Sequence, residues 1–288
     1  MNYIIFCRIT LCYNERVKKK YDLIFGFGPA CSCSQAIRRA GLQFLSFPFD
    51  WIGPTFGKPG WVHDLQRRTD LICSEFKDWL RPEDFTFYGP HTNGKDKYYN
   101  NRLELIFLHD VPIGSPFQDY FPTLVEKYRR RCSRLLELIR RSKKVLIVRV
   151  ERPDLDYRTP LDDCRYARKR LSEHFAPVRF DVVLLQCDAS LKRGEIREEP
   201  IEDGILRISL DYRNLAPGAD VMLPDYDLTS NVMRERFKVR EYRTREEIAA
   251  WKAKQRAKRY ARYGATNFLQ YRWRKLMAAL GGNGTGNA

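Results

Sequence analysis

Short, continuous apolar runs alternate with stretches of helical periodicity along this chain. DLIFGF (residues 22–27) predicts a buried strand punctuated by Gly26 and Gly28, and SCSQAIRRA (32–40) predicts a helix stopped by Gly41. The first unit is therefore strand, tight turn and helix, with Cys31 in the turn. LQFLSFPFDWIGP, broken by Pro48 and Pro54, reads as a packed aromatic loop. Residues 60–80 carry Trp61, Leu65, Leu71, Ile72, Phe76 and Leu80 at helical spacing. Residues 81–101 are polar and turn-rich, with Tyr98 and Tyr99 on a candidate strand.

LELIFL (103–108) predicts a strand that ends at His109-Asp110. From about 119 to 141, Leu124, Tyr128, Cys132, Leu135 and Ile139 recur at three- and four-residue steps, the stripe of a core-facing helix. KVLIVRV (144–150) and FDVVLLQC (180–187) are continuous apolar strands separated by a helix over 160–175, and ILRISL (205–210) is a last strand. Apolar strands separated by helices predict an α/β fold with a mostly parallel sheet and helices on both faces. Beyond residue 230 the pattern changes. REEIAAWKAKQRAKRYARY (245–263) is a basic helical pattern, with Thr244 and Glu247 spaced as a capping box, and GGNGTGNA (281–288) is a flexible tail. The expected organisation is an N-terminal extension (1–20), an α/β domain (21–230), a basic helical C-terminal appendage (231–280) and the tail.

Composition narrows the class. At 288 residues, 43% hydrophobic and 31% charged, the chain is globular rather than disordered. It has no apolar run long enough for a membrane span. MNYIIFCRITLCY precedes its basic residues, the reverse of a secretory signal, so a cytoplasmic protein is expected. The net charge of +16 is concentrated in residues 231–280, where Trp251, Tyr260, Tyr263 and Trp273 interleave with Lys and Arg. That pattern suits an anionic surface, membrane or nucleic acid, or else a solvated helix packed by its aromatics. The eight cysteines form no dense framework, so reduced thiols are expected. No C-x-x-C pair or histidine cluster at zinc spacing occurs, so no metal is expected. GFGPAC only half-matches a dinucleotide fingerprint, so no cofactor is expected either.

Cys31 is the first candidate for chemistry. Backbone N–H groups and the helix dipole at a helix start favour a thiolate, and the same N–H groups can hold an oxyanion. Cys33, further into the helix, reads as packing. Of the four histidines (63, 91, 109 and 174), His109 alone sits at a strand end. If its strand and the 22–27 strand are parallel, both residues line one crevice, and His109 is the base for Cys31. Asp50 can orient that base or cap a turn, whereas Asp110 points to the opposite face from His109. Arg149, a charge within an apolar strand, either pairs with a buried carboxylate or reaches an anionic substrate. Gly28 and Trp51 complete the substrate-binding candidates.

YDLIFGFGPACSCSQAIRRAGLQFLSFPFDW, then LELIFLHDVP, then a long amphipathic helix leading into SKKVLIVRV, resembles a bacterial family of unknown function labelled as papain-like cysteine peptidases. The resemblance covers roughly residues 20–190. It implies that Cys31 is the family cysteine and His109 the family histidine, with Phe49, Asp50 and Trp51 as its aromatic-acid block. Phe27 departs from the family's usual Leu. A closing Asp-and-Trp segment is not evident before residue 230, which leaves the third catalytic member open. The implied function is a thiol hydrolase acting on an acyl or amide bond of an acyl or peptide substrate. Two other readings stay open: an acyltransferase using the same Cys/His pair, and a non-catalytic module that binds a phosphate-bearing or anionic sugar ligand.

Overall fold

The computed structural model describes residues 17–29, 31–54, 63–154 and 158–240, together with Ala253 and Ala257. The chain divides into two units, Met1–Arg240 and Glu241–Ala288. The sequence before residue 17, the basic helix expected over 245–263 with its anionic-surface role, and the tail lie outside the described residues.

A five-stranded sheet has the order β2-β7-β8-β10-β9. Its strands are β2 (Leu23–Gly26), β7 (Lys144–Val150), β8 (Arg179–Cys187), β9 (Arg197–Glu202) and β10 (Ile205–Leu210). The continuous apolar strands are buried on both faces, and their alternate residues feed two cores. Phe25, Val145, Ile147 and Val182 join one core with side chains of α2 (Asp64–Cys73), α3 (Phe117–Arg141) and α4 (Leu161–His174). Ile24, Leu146, Val148, Val183 and Leu210 join the other with α1 (Cys31–Arg39) and α5 (Tyr226–Arg236). Each fully buried Val, Leu, Ile or Phe contributes about 1.5–3 kcal/mol.

The expectation of a mostly parallel sheet with helices on both faces is overturned. The sheets are mixed. β9 runs antiparallel to β10 along the edge, and a separate four-stranded sheet, β3-β6-β5-β4, is antiparallel throughout. It comprises β3 (Ile52–Pro54), β4 (Phe85–His91), β5 (Lys95–Asn100) and β6 (Leu105–Phe107). β6, read from sequence as a member of the parallel sheet, belongs here. The polar segment 81–101 is a hairpin whose β5 buries Tyr98, Tyr99 and Asn100, and β6 adds to its edge. A third pair, β1 (Lys19–Tyr21) with β11 (Phe237–Val239), is parallel.

α5 runs across the domain border expected at residue 230. It is capped by Asp225, whose side chain accepts from the N–H groups of Asp227 and Leu228. The helix expected over 60–80 ends at Cys73, and Glu75, Phe76 and Asp78 take left-handed backbone conformations. No helix among the described residues is long and apolar enough to cross a membrane.

Candidate functional site

β2 ends at Gly26, and the chain turns through Phe27, Gly28 and Pro29 into α1. Gly26 is required by the close approach of that helix. A Cβ there would come within 3.0 Å of Cys33 Sγ and 3.2 Å of Ile37 Cδ1. Phe27 N–H still bonds Val148 O at 2.8 Å, so the turn begins on the sheet. Gly28 is buried within it.

Cys31 opens α1 and is half-buried, whereas Cys33 is fully buried and donates to Val148 O at 3.2 Å. Cys33 is therefore packing, and burial pushes its thiol up to about 12. The six described cysteines are free thiols. The sulfur of Cys31 receives the Gln35 amide N–H, with Nε2 at 3.8 Å. Burial pushes this thiol above its ordinary value, and the Asp220 carboxylate adds to the effect. The Gln35 N–H and the backbone N–H groups of Cys31 and Ser32 pull the other way without overcoming it. This reverses the expectation of a depressed thiol pKa: desolvation outweighs the helix start. Two hydroxyls near this end of α1, Ser32 Oγ and Tyr226 Oη, are buried without a partner. Tyr226 opens α5, which packs against α1, and the Arg39 guanidinium lies 4.2 Å from its ring centre.

His109 stands beyond β6, and the antiparallel register explains its surroundings. Ile52 pairs with Phe107, so Trp51 meets His109 edge-on, with ring centres 5.7 Å apart. The β4–β5 turn covers the other side. Asn93 Nδ2 donates to His109 Nδ1 at 2.8 Å and to Leu108 O at 3.0 Å, while its Oδ1 accepts from Lys95 N–H. His91 lies 6.0 Å from His109, ring centre to ring centre, and its Nδ1 accepts from Asn93 N–H. An imidazole that accepts at Nδ1 carries its proton on Nε2. Burial lowers the His109 pKa. His91 and Lys127 lower it further, and Asp110 opposes them. His109 is thus held neutral. Asp110 turns inward to Lys127 and to the Tyr128 hydroxyl at 3.0 Å.

Cys31 and His109 come from different sheets, so they are not joined as neighbouring strand ends. They share no hydrogen bond: the Cys31 sulfur has Gln35, and His109 has Asn93. The two segments nonetheless adjoin. A Cβ on Gly53 would lie 3.2 Å from Pro29 O, so β3 packs tightly on the turn that leads to Cys31.

Asp50 does not orient His109. It is 0% exposed and accepts from Ser34 Oγ (2.9 Å), Arg38 Nη2 (2.7 Å), Gln43 Nε2 (2.9 Å) and Phe47 N–H (2.9 Å). It clamps the PFDW turn to α1. Arg149 is equally committed to structure. Its Nη1 donates to Phe27 O at 2.6 Å and pairs with Asp64 at 2.7 Å, and its Nε donates to Thr159 Oγ1. Arg68 bonds the other Asp64 oxygen at 2.8 Å. This buried triad anchors α2 to β7 and to the residue that enters the Cys31 turn.

Sequence reading missed Asn93, His91, Ser32, Gln35 and Tyr226. Gln35 alone was legible, because it sits one helical turn from Cys31. Among the described residues, no group of three or more His, Cys, Asp or Glu could hold a metal ion.

No family model matches the chain, and no solved structure matches it. A similar curated protein is "Uncharacterized protein R408" of Acanthamoeba polyphaga mimivirus, 24% identical over 146 residues. The match covers 45% of this chain and 61% of that protein, so the chain spans less than two thirds of its relative's length.

Proposed function

We propose that the chain is a thiol hydrolase or acyltransferase in which Cys31 is the nucleophile and His109 the base. The observation that carries this reading is the position of Cys31. A half-buried thiol opens α1, with Gln35 and the backbone N–H groups of Cys31 and Ser32 turned toward its sulfur. Those N–H groups are suitable oxyanion donors. The resemblance to papain-like peptidases rests on the same cysteine and histidine.

A raised thiol and a lowered imidazole form a neutral pair, which suits general-base attack once substrate is bound. His109 takes the thiol proton as sulfur bonds the acyl carbon. The leaving group then departs with that proton, and water or an acceptor releases the acyl group. For Nε2 to act as base, Asn93 turns its Oδ1 to Nδ1 and gives up the Lys95 N–H.

p-Nitrophenyl acetate tests the proposal. The wild-type protein should release a burst of nitrophenol that Cys31→Ala lacks, that His109→Ala slows, and that Cys73→Ser retains. An undiminished burst in Cys31→Ala overturns it.

The unpartnered Ser32 and Tyr226 hydroxyls favour a second reading, in which the start of α1 binds an anion and the thiol is incidental. Cys31→Ser would then keep phosphate binding, and Gly28→Val would lose it.

A further inference from the structure

α1 and α5 lie on one face of the five-stranded sheet and run the same way. β2, β7, β8 and β10 are mutually parallel. α1 returns from the end of β2 and α5 from the end of β10, and both pack on the core that holds Ile24, Val148 and Leu210. Near the end of α5, Arg234 Nη2 donates to the carbonyl of Arg39, the last residue of α1, at 2.9 Å. Going back the same number of residues from each, about 12 Å along either helix, reaches Cys31 on α1 and Tyr226 on α5.

The face matches as well as the level. Cys31, Gln35 and Arg39 recur at four-residue steps and share one stripe of α1. Gln35 Nε2 reaches the Cys31 sulfur at 3.8 Å, and the Arg39 guanidinium lies 4.2 Å from the centre of the Tyr226 ring. Tyr226 therefore covers the stripe that carries the thiol, whereas Ser32, one position on, faces elsewhere. The Tyr226 hydroxyl is buried without a hydrogen-bond partner, although protein interiors pair nearly all such groups. Burial, and then the charge Cys31 would carry as a thiolate, hold this phenol far above its ordinary pKa. Asp220 adds to the effect and Arg39 opposes it. The phenol thus stays protonated at neutral pH, a donor with nothing to donate to. A thiol accepts weakly, but a thiolate takes charge-assisted bonds of about twice the strength.

We propose that Tyr226 is the hydrogen-bond donor recruited by the Cys31 thiolate. When the thiol proton leaves for His109, the Tyr226 hydroxyl turns to the sulfur, sharing its own proton without losing it. The inference rests on Cys31 being the reactive thiol and deepens that reading: the charge left on sulfur is met by Gln35 from α1 and by Tyr226 from α5.

Iodoacetamide labelling of the full chain over a series of pH values, with the Cys31 peptide followed by mass spectrometry, tests it. Tyr226→Phe keeps the ring under Arg39 and removes the hydroxyl alone. The Cys31 midpoint should rise by about one pH unit or more, the worth of a hydrogen bond to a charged group. The melting temperature should hold or rise, since the lost hydroxyl leaves no partner unpaired. Ser32→Ala removes the other unpartnered hydroxyl near this end of α1 and should leave the midpoint in place. A Tyr226→Phe midpoint equal to that of wild type, an equal rise in Ser32→Ala, or a rise that comes with a lower melting temperature overturns the proposal. The nitrophenol burst is read in parallel. A wild type without a burst, together with a raised midpoint in Tyr226→Phe, removes the hydrolase reading and supports the donor, so the two fail separately.

Discussion

Removing the charge of Asp64 should cost this protein more than any surface substitution. Its carboxylate is 0% exposed and sits between two buried guanidiniums, Arg68 at 2.8 Å and Arg149 at 2.7 Å. Burial alone would raise its pKa, but the two cations outweigh burial and hold the carboxyl below its ordinary range. Asp64→Asn keeps the shape and leaves two like charges together in the interior. Breaking a buried pair in this way costs about 3–5 kcal/mol, a large share of the ~5–15 kcal/mol typical of a folded domain. At about 2–4 °C per kcal/mol for a chain of this size, the melting temperature should fall by roughly 6–20 °C. Thermal and urea melts followed by circular dichroism read this directly. Because the folded pKa is depressed, the contribution of Asp64 is complete above its unfolded value, near ~3.9, and is lost as pH falls through the folded value. The wild-type acid limb should therefore be steeper than that of Asp64→Asn. A triple variant, Asp64→Leu/Arg68→Met/Arg149→Met, should recover most of the loss, since removing the whole network removes its desolvation cost. Arg149 also bonds Phe27 O at the entry to the Cys31 turn, so Asp64→Asn should speed alkylation of Cys31 as well. A melting temperature within about 1 °C of wild type, with an unchanged acid limb, would refute the reasoning.

Three further outcomes follow from the geometry. Cys31 should alkylate with iodoacetamide along a pH curve whose midpoint lies above the free-thiol value of ~8.5, and Asp220→Asn should shift it downward; a midpoint below the free-thiol value contradicts the burial argument. The His109 imidazole should titrate below ~6.5 by NMR, so its contribution to stability is lost as pH falls from that unfolded value through the folded one; Asn93→Asp, which sets a carboxylate on Nδ1, should raise the His109 pKa, and an unmoved resonance would detach Asn93 from the site. Gly26→Ala pushes a Cβ against Cys33 Sγ and Ile37 Cδ1 and should cost about 1–3 kcal/mol in urea melts, so a neutral substitution would show that α1 can withdraw freely from β2.

The candidate site was only half legible. Cys31 and His109 stand out because each follows an apolar run, and a residue just past a buried strand is exposed to solvent or ligand. What surrounds them does not stand out. Asn93 and His91 reach His109 because a polar hairpin folds back over β6. Tyr226 reaches α1 because α5 closes on it after a loop with no apolar signal. Asp50 and Arg149 looked like chemistry as isolated charges among apolar residues, and their employment became visible only with their partners in place.

The sequence by itself determined the elements whose burial is written into their own residues. These are β2, β7 and β8 as apolar runs, β10 as an alternating strand, α3 as a 3.6-residue stripe, and the turn that sets Cys31 at the start of α1. Tertiary structure decided which strand pairs with which. An apolar run such as LELIFL satisfies a parallel or an antiparallel neighbour equally well, because side-chain alternation has the same period in both. Its partners, Ile52–Pro54 and the polar strand Lys95–Asn100, are chosen by long-range packing, and that choice placed His109 beside Trp51 and Asn93 rather than on the sheet that presents Cys31.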